Sequence, residues 1–124
     1  MSEMHLMMRY FSHFDGSKTW DEIQPIVDET LHEDFVIIDG REQYNKEEFT
    51  NKLKEFVDDG GWMEILKLEV IPRKKGISYE IQFHTPADAK TPVNMTKSFG
   101  QFSPDDGKLI GVKRDNVRDV HRIL

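Results

Sequence analysis

The chain has 124 residues, with 17 Lys+Arg against 23 Asp+Glu and a formal net charge of −6. Cysteine is absent, which excludes disulfides, thiolate zinc sites and a cysteine nucleophile. No apolar run reaches the roughly 18 residues of a membrane-crossing helix, so no membrane partner is expected. A chain of this size buries roughly two-thirds of its unfolded surface, so one domain over residues 1–124 is expected. The opening Met1-Ser2-Glu3-Met4-His5 lacks the basic start and apolar core of a signal peptide, and a cytoplasmic location is the expectation.

Charge is unevenly spread. Residues 15–60 carry 14 acidic and 5 basic side chains, net −9, whereas residues 61–124 carry 8 acidic and 11 basic, net +3. Nucleic acid demands clustered positive charge, so no nucleic-acid partner is expected. The late basic group Lys113, Arg114, Arg118 and Arg122 is interrupted by Asp115 and Asp119 and reads as solvated.

Met4, Met7, Met8, Phe11 and Phe14 recur at helical spacing and predict a first helix, ended by Asp15-Gly16-Ser17. Thr19 with Glu22 is a capping-box pattern, and Trp20, Ile23, Val27 and Leu31 then share one helix face. Pro25 conflicts with a regular helix, so either a kink or a start near Pro25 is expected. Phe35-Val36-Ile37-Ile38 reads as a buried strand. Asn45 with Glu48 opens a third helix with Phe49, Leu53, Phe56 and Val57 on its apolar face, stopped at Asp58-Asp59-Gly60-Gly61. Residues 62–71 read as strand. Residues 77–85 alternate Ile77, Tyr79, Ile81 and Phe83 with Ser78, Glu80, Gln82 and His84, a half-buried antiparallel strand. A loop at 86–92, a long strand at 93–103, a turn at Pro104–Gly107 and a last strand at 108–114 complete the chain. Helices segregated from an antiparallel sheet make an α+β fold.

Three local patterns carry a resemblance. They are Arg9-Tyr10-Phe11-Ser12-His13-Phe14-Asp15 at a helix end, Leu31 to Gly40 as a helix end running into a strand that closes in Asp-Gly, and Phe99-Gly100-Gln101-Phe102 leading to Asp106-Gly107-Lys108-Leu109-Ile110. In this order they resemble the NTF2-like superfamily, with its SnoaL-like cyclases and ketosteroid isomerases, over nearly the whole chain. The resemblance implies a cone: three N-terminal helices packed in a curved, mostly antiparallel sheet around an apolar pocket. It also implies a homodimer through the outer sheet face. The scaffold hosts many functions, so it does not name one.

The expected pocket is lined by Met7, Phe14, Trp20, Phe35 and Ile37, and by Trp62, Ile81, Phe83, Met95 and Phe99. Asp39 follows Phe35 and Ile37 on one strand face, where desolvation would disfavour its charge, as suits a general base. The resemblance places it at the catalytic aspartate of ketosteroid isomerases. Asp39-Gly40 equally suits a turn start. The resemblance places Tyr10 at the tyrosine that donates to a developing oxyanion; it equally reads as a core aromatic. Phe99 stands where that isomerase class carries a second, protonated acid, so steroid isomerisation is not implied, while simpler proton transfer or cyclisation is. If Phe99 points inward, Lys97 shares its face and can approach Asp39 or reach solvent. The five histidines show no metal spacing, so no metal and no cofactor are expected. The leading functional expectation is a small hydrophobic-molecule binding protein of SnoaL-like type, acting as a cofactor-independent isomerase or cyclase through Asp39, Tyr10 and Lys97. The other is a non-catalytic binding or dimerisation module on the same fold.

Overall fold

The computed structural model describes residues 3–12, 19–84 and 94–117. The expectation at Phe14 and the loop at 86–92 lie outside them. The described elements are α1 (Glu3–Ser12), α2 (Trp20–Thr30), β1 (Leu31–Asp39), β2 (Glu42–Asn45), α3 (Lys46–Asp58), β3 (Glu64–Arg73), β4 (Gly76–His84), β5 (Asn94–Phe102) and β6 (Leu109–Val117). The α+β class is found. The third helix follows a β-hairpin, so the helices do not form one uninterrupted N-terminal block.

Helix α1 buries Leu6, Met7, Tyr10 and Phe11, while Met8, expected on the apolar stripe, faces solvent. Helix α2 begins at Trp20, with the Thr19 backbone N–H donating to the Glu22 carboxylate at 3.3 Å. Pro25 lies inside this helix on its exposed side. The N–H it lacks would have met the first-turn carbonyl of Asp21, so the helix loses a single bond near its start. Leu31, expected on the α2 face, takes extended dihedrals (φ −101°, ψ 129°) and starts β1. The capping box of α3 is complete: Glu48 N–H donates to Asn45 Oδ1 at 2.9 Å, and Asn45 N–H to Glu48 Oε1 at 3.0 Å. Gly60, at φ +81°, turns the chain out of the helix, a conformation that glycine adopts without a Cβ penalty.

One six-stranded sheet has the order β2-β1-β6-β5-β4-β3. Strands β3 to β6 form the expected antiparallel meander, and β1 joins β6 in parallel. Register shifts interrupt the β1–β6, β3–β4 and β5–β6 ladders. Such bulges bend a sheet and sharpen its twist, and the sheet is curved. The core lies between its inner face and the helices, with Met7, Phe11, Leu31, Phe35, Ile37 and Leu109 almost completely buried.

Candidate functional site

Register places four polar side chains in one lateral row on the inner sheet face. Tyr79 of β4 pairs with Ser98 of β5, Ser98 with Arg114 of β6, and Arg114 with Asp39 of β1. Paired residues on neighbouring strands point to the same face. Arg114 Nη2 donates to Asp39 Oδ2 at 2.8 Å, and the two side chains keep 30% and 20% of their surface exposed, so the row reaches solvent at this end. At the other end Tyr79 is buried, with the Phe11 ring edge-on against it at a centroid distance of 4.9 Å. Tyr10 packs beside Phe11, 5.5 Å between centroids, and lies within electrostatic reach of Tyr79 and Arg114.

These surroundings set protonation states. Burial pushes the Tyr10 phenol far above its ordinary range; neighbouring Tyr79 adds to the shift and Arg114 opposes it. Burial likewise pushes Tyr79 up to about 12, against the opposing effects of its hydrogen bond with the Ser98 hydroxyl and of the Arg114 charge. Both phenols are therefore neutral donors at ordinary pH, not bases. Burial, the largest single effect, disfavours the Arg114 charge, yet the Asp39 hydrogen bond together with the Asp39 charge and the Tyr10 and Tyr79 phenols more than offsets it, and the guanidinium stays charged.

One polar atom of the row is left over. Arg114 Nε is buried and has no hydrogen-bond partner among the described residues, whereas Ser98 Oγ, buried beside it, has the Tyr79 hydroxyl within reach. An unmet buried donor of this kind costs on the order of 1–3 kcal/mol, so such atoms are uncommon unless something visits them.

The expected site residues separate into groups. Asp39 and Tyr10 do face the interior. Met7, Phe35, Ile37 and Ile81 are core, with Trp20 and Phe83 half-buried against it, while Trp62 is half-buried but not packed on that core. Lys97 is exposed on the outer sheet face and is not brought to Asp39; Arg114 occupies that role. Phe99 also lies on the outer face, where it lines a surface hollow of about 450 Å3 with Ile71, Glu80 and Lys97. Met95 shares that strand parity, buried but outside the main core cluster. The parity of β5 is reversed from expectation because Tyr79 and Ile77 fill the space opposite. A Cβ on Gly100 would meet Leu109 Cδ1 at 3.3 Å and Tyr79 Cε1 at 3.6 Å, so small Ser98 and Gly100 face inward and Phe99 faces out.

Arg114 is the residue that sequence reasoning missed. Counted by twos from buried Leu109, residues 111 and 113 would point inward. The register shift beside Ile110 moves the parity, so Val112 and Arg114 point inward instead. Nothing in the local sequence marks that shift. A second hollow of about 490 Å3, lined by Val36, Ile38, Phe99 and Ile110, also opens on the outer face. Neither hollow has Asp39 on its wall, and the expected apolar pocket is filled by Met7, Tyr10, Phe11 and Phe35 among the described residues.

One further cluster has the donor types of a metal site: His32, Asp105 and Asp106. His32 Nδ1 accepts the Asp34 backbone N–H at 2.9 Å, so the neutral ring carries its proton on Nε2, 3.3 Å from Asp105 Oδ2. That nitrogen has no lone pair for a cation. The carboxylates are also engaged: Asp105 accepts from the Ser103 hydroxyl and from Asp106 N–H, and Asp106 accepts from Lys108 N–H. The donor set therefore fits a clamp between β1 and the β5–β6 turn better than a metal centre.

No family model matches the sequence, and no curated protein matches it. Solved structures do. A candidate isomerase of the SnoaL-like family from Agrobacterium tumefaciens superposes with a TM-score of 0.71 at 9% identity, over 94% of this chain and 99% of that one. The fold is NTF2-like. An NTF2-like protein from Anabaena variabilis (TM-score 0.70, 17% identity, 94% of this chain and 90% of that one) has the same architecture. So does a candidate polyketide cyclase from Xanthomonas campestris (0.69, 16%, 91% and 88%). At such identities the likeness carries the NTF2-like architecture and not the chemistry.

Proposed function

We propose that this chain binds a small hydrophobic, carbonyl-bearing molecule at the open end of the inner polar row and moves a proton on it without a cofactor. The observation that carries the reading is the row itself: Asp39, Arg114 and Ser98 in line under Tyr10, inside an otherwise apolar wall. Asp39 is the proton acceptor, partly exposed and oriented by Arg114. Tyr10, held neutral by burial, donates to the oxygen on which charge develops. Lys97, expected to help, is replaced by Arg114. The isomerase and cyclase names of the structural neighbours support this class of chemistry and do not identify a substrate.

The test is exchange of the α-protons of 2-tetralone in D2O, followed by NMR. The expected result is exchange above the buffer rate, abolished in Asp39→Asn and slowed on the order of 100-fold in Tyr10→Phe. Unchanged exchange in Asp39→Asn overturns the base assignment.

A second reading is a non-catalytic dimerisation module. The filled interior and the two hollows on the outer face, one walled mainly by Val36, Ile38, Phe99 and Ile110 and the other largely by charged side chains, favour it. In that reading the outer face joins two copies. A monomer by sedimentation at 100 µM (about the concentration that a standard-size interface should withstand) counts against it.

A further inference from the structure

We infer that the outer sheet face carries a ligand site of its own, on the side of the sheet opposite the inner row, and that its ligand is a medium-chain fatty acid. Register lines up five side chains on that face: Ile38 of β1, Lys113 of β6, Phe99 of β5, Ser78 of β4 and Ile71 of β3. Small residues open the face on either side of Phe99. Gly111 lies in the wall of the hollow of about 490 Å3 on the β1 side, and Ser78 in the wall of the hollow of about 450 Å3 on the β3 side. Phe99 and Lys113 line both, so the two hollows adjoin there. Both volumes fall within the range of small-molecule sites. From Ile38 to Ser78 the row crosses three inter-strand spacings, roughly 14 Å, a span on the scale of a medium-chain alkyl group.

The two ends differ in chemistry. The β1 end is walled by Val36, Ile38, Phe99 and Ile110, and offers an alkyl chain an apolar bed. The β3 end holds three cations, Arg73, Lys97 and Lys113, against two acids, Glu69 and Glu80. The acids are partly engaged: Glu69 stands 3.9 Å from Lys67, and Glu80 accepts from Gln82 Nε2 at 3.1 Å and faces Lys97 in register. Among the described residues no ion pair involves Arg73 or Lys113. Arg73 Nε donates to Ser78 Oγ at 3.0 Å, which holds the guanidinium beside the register partner of Phe99 and leaves its Nη groups for an anion. Exposed cations alone hold an anion weakly in water. The alkyl chain therefore supplies most of the affinity, and the carboxylate at Arg73 and Lys113 sets the direction in which the chain lies.

The experiment titrates octanoate into the protein at pH 7 by calorimetry, with 1-octanol (chain without charge) and acetate (charge without chain) as comparators. The wild type is expected to bind octanoate at least about tenfold more tightly than octanol, and acetate not measurably at millimolar concentration. Arg73→Gln combined with Lys113→Gln, both on exposed positions, should bring octanoate down to the level of octanol. Gly111→Leu fills the apolar hollow from its wall. A Cβ there meets only Gln101 Oε1 at 3.7 Å and Val36 O at 3.9 Å, ordinary contacts, and φ at this glycine is not positive, so urea unfolding should match the wild type. This variant should weaken octanoate and octanol alike, at least about tenfold. Equal binding of octanoate and octanol by the wild type removes the cationic end and overturns the inference. Octanoate affinity unchanged in Gly111→Leu places the chain elsewhere and also overturns it. So does the absence of octanoate binding at millimolar concentration, the result expected where a second copy covers this face. Exchange of 2-tetralone reports on the inner row and is independent of all three results.

Discussion

The parallel pair β1–β6 is pinned at both ends by an acid and a base, and the two ends differ in how completely their polar atoms are used. At the start of β1, His32 meets Asp105 with both ring nitrogens engaged, and the carboxylates of the turn are engaged in their own right. At the end of β1, Asp39 meets Arg114 at 2.8 Å, yet one guanidinium nitrogen, Arg114 Nε, goes unmet. The same chemistry closes one end and leaves the other open. A satisfied network fixes geometry; an unsatisfied one is free to take a guest.

That contrast can be broken most forcefully at the open end. Arg114→Met strands a four-fifths buried Asp39 carboxylate and should cost about 2–3 kcal/mol in urea unfolding. The double variant Asp39→Leu with Arg114→Met should recover most of that loss, because no unpaired charge remains. A double variant as weak as the single would show that packing, not the stranded charge, sets the cost.

The closed end should respond to pH. The hydrogen bond to Asp105, with the Asp106 and Asp34 charges and against desolvation, holds the His32 pKa above its ordinary value. The Asp34 carboxylate, 3.9 Å from Nδ1, acts on the protonated ring by charge attraction and not by a hydrogen bond. A raised folded-state value means stabilisation that is complete below the unfolded value of about 6.5 and is lost as pH rises through the folded value. Asp105, lowered to about 2 first by Ser103 and then by His32, adds stability that is present above the unfolded carboxylate value and fades as pH falls toward 2. Urea unfolding at pH 6 and pH 9 should therefore show a loss with rising pH that His32→Gln flattens; an identical loss in His32→Gln would assign it to other groups. The smallest effect is expected on the outer face, where Lys97→Ala should shift stability by less than about 0.5 kcal/mol and leave 2-tetralone exchange unchanged.

Much of the scaffold could be read from the chain. The Asn45–Glu48 box and the alternation from Ile77 to Phe83 are local signals, and both have their expected counterparts in the structure. Strand β2, Glu42–Asn45, escaped notice because four mostly polar residues at a sheet edge have no apolar period. Leu31 escaped because a helix that enters a strand without a loop offers no punctuation. The inner row was only half legible. Asp39 and Tyr10 follow from periodicity and resemblance. Arg114 depends on a single register shift, and the inward face of β5 depends on the bulk of Tyr79 and Ile77 across the ladder. Facing of that kind is decided between strands, not along them.

The β1–β6 pairing also has a consequence in time. Asp39 and Arg114 are 75 positions apart, so the β1–β6 ladder forms only between the first and last of the described strands. Contacts at such separation slow the search for the native state. During synthesis, the β1–β2 hairpin has no β6 partner until the C-terminal strand leaves the ribosome. Until then the apolar side of β1 around Phe35 and Ile37 lacks its neighbour, and that exposed edge is where self-association of the nascent chain would begin.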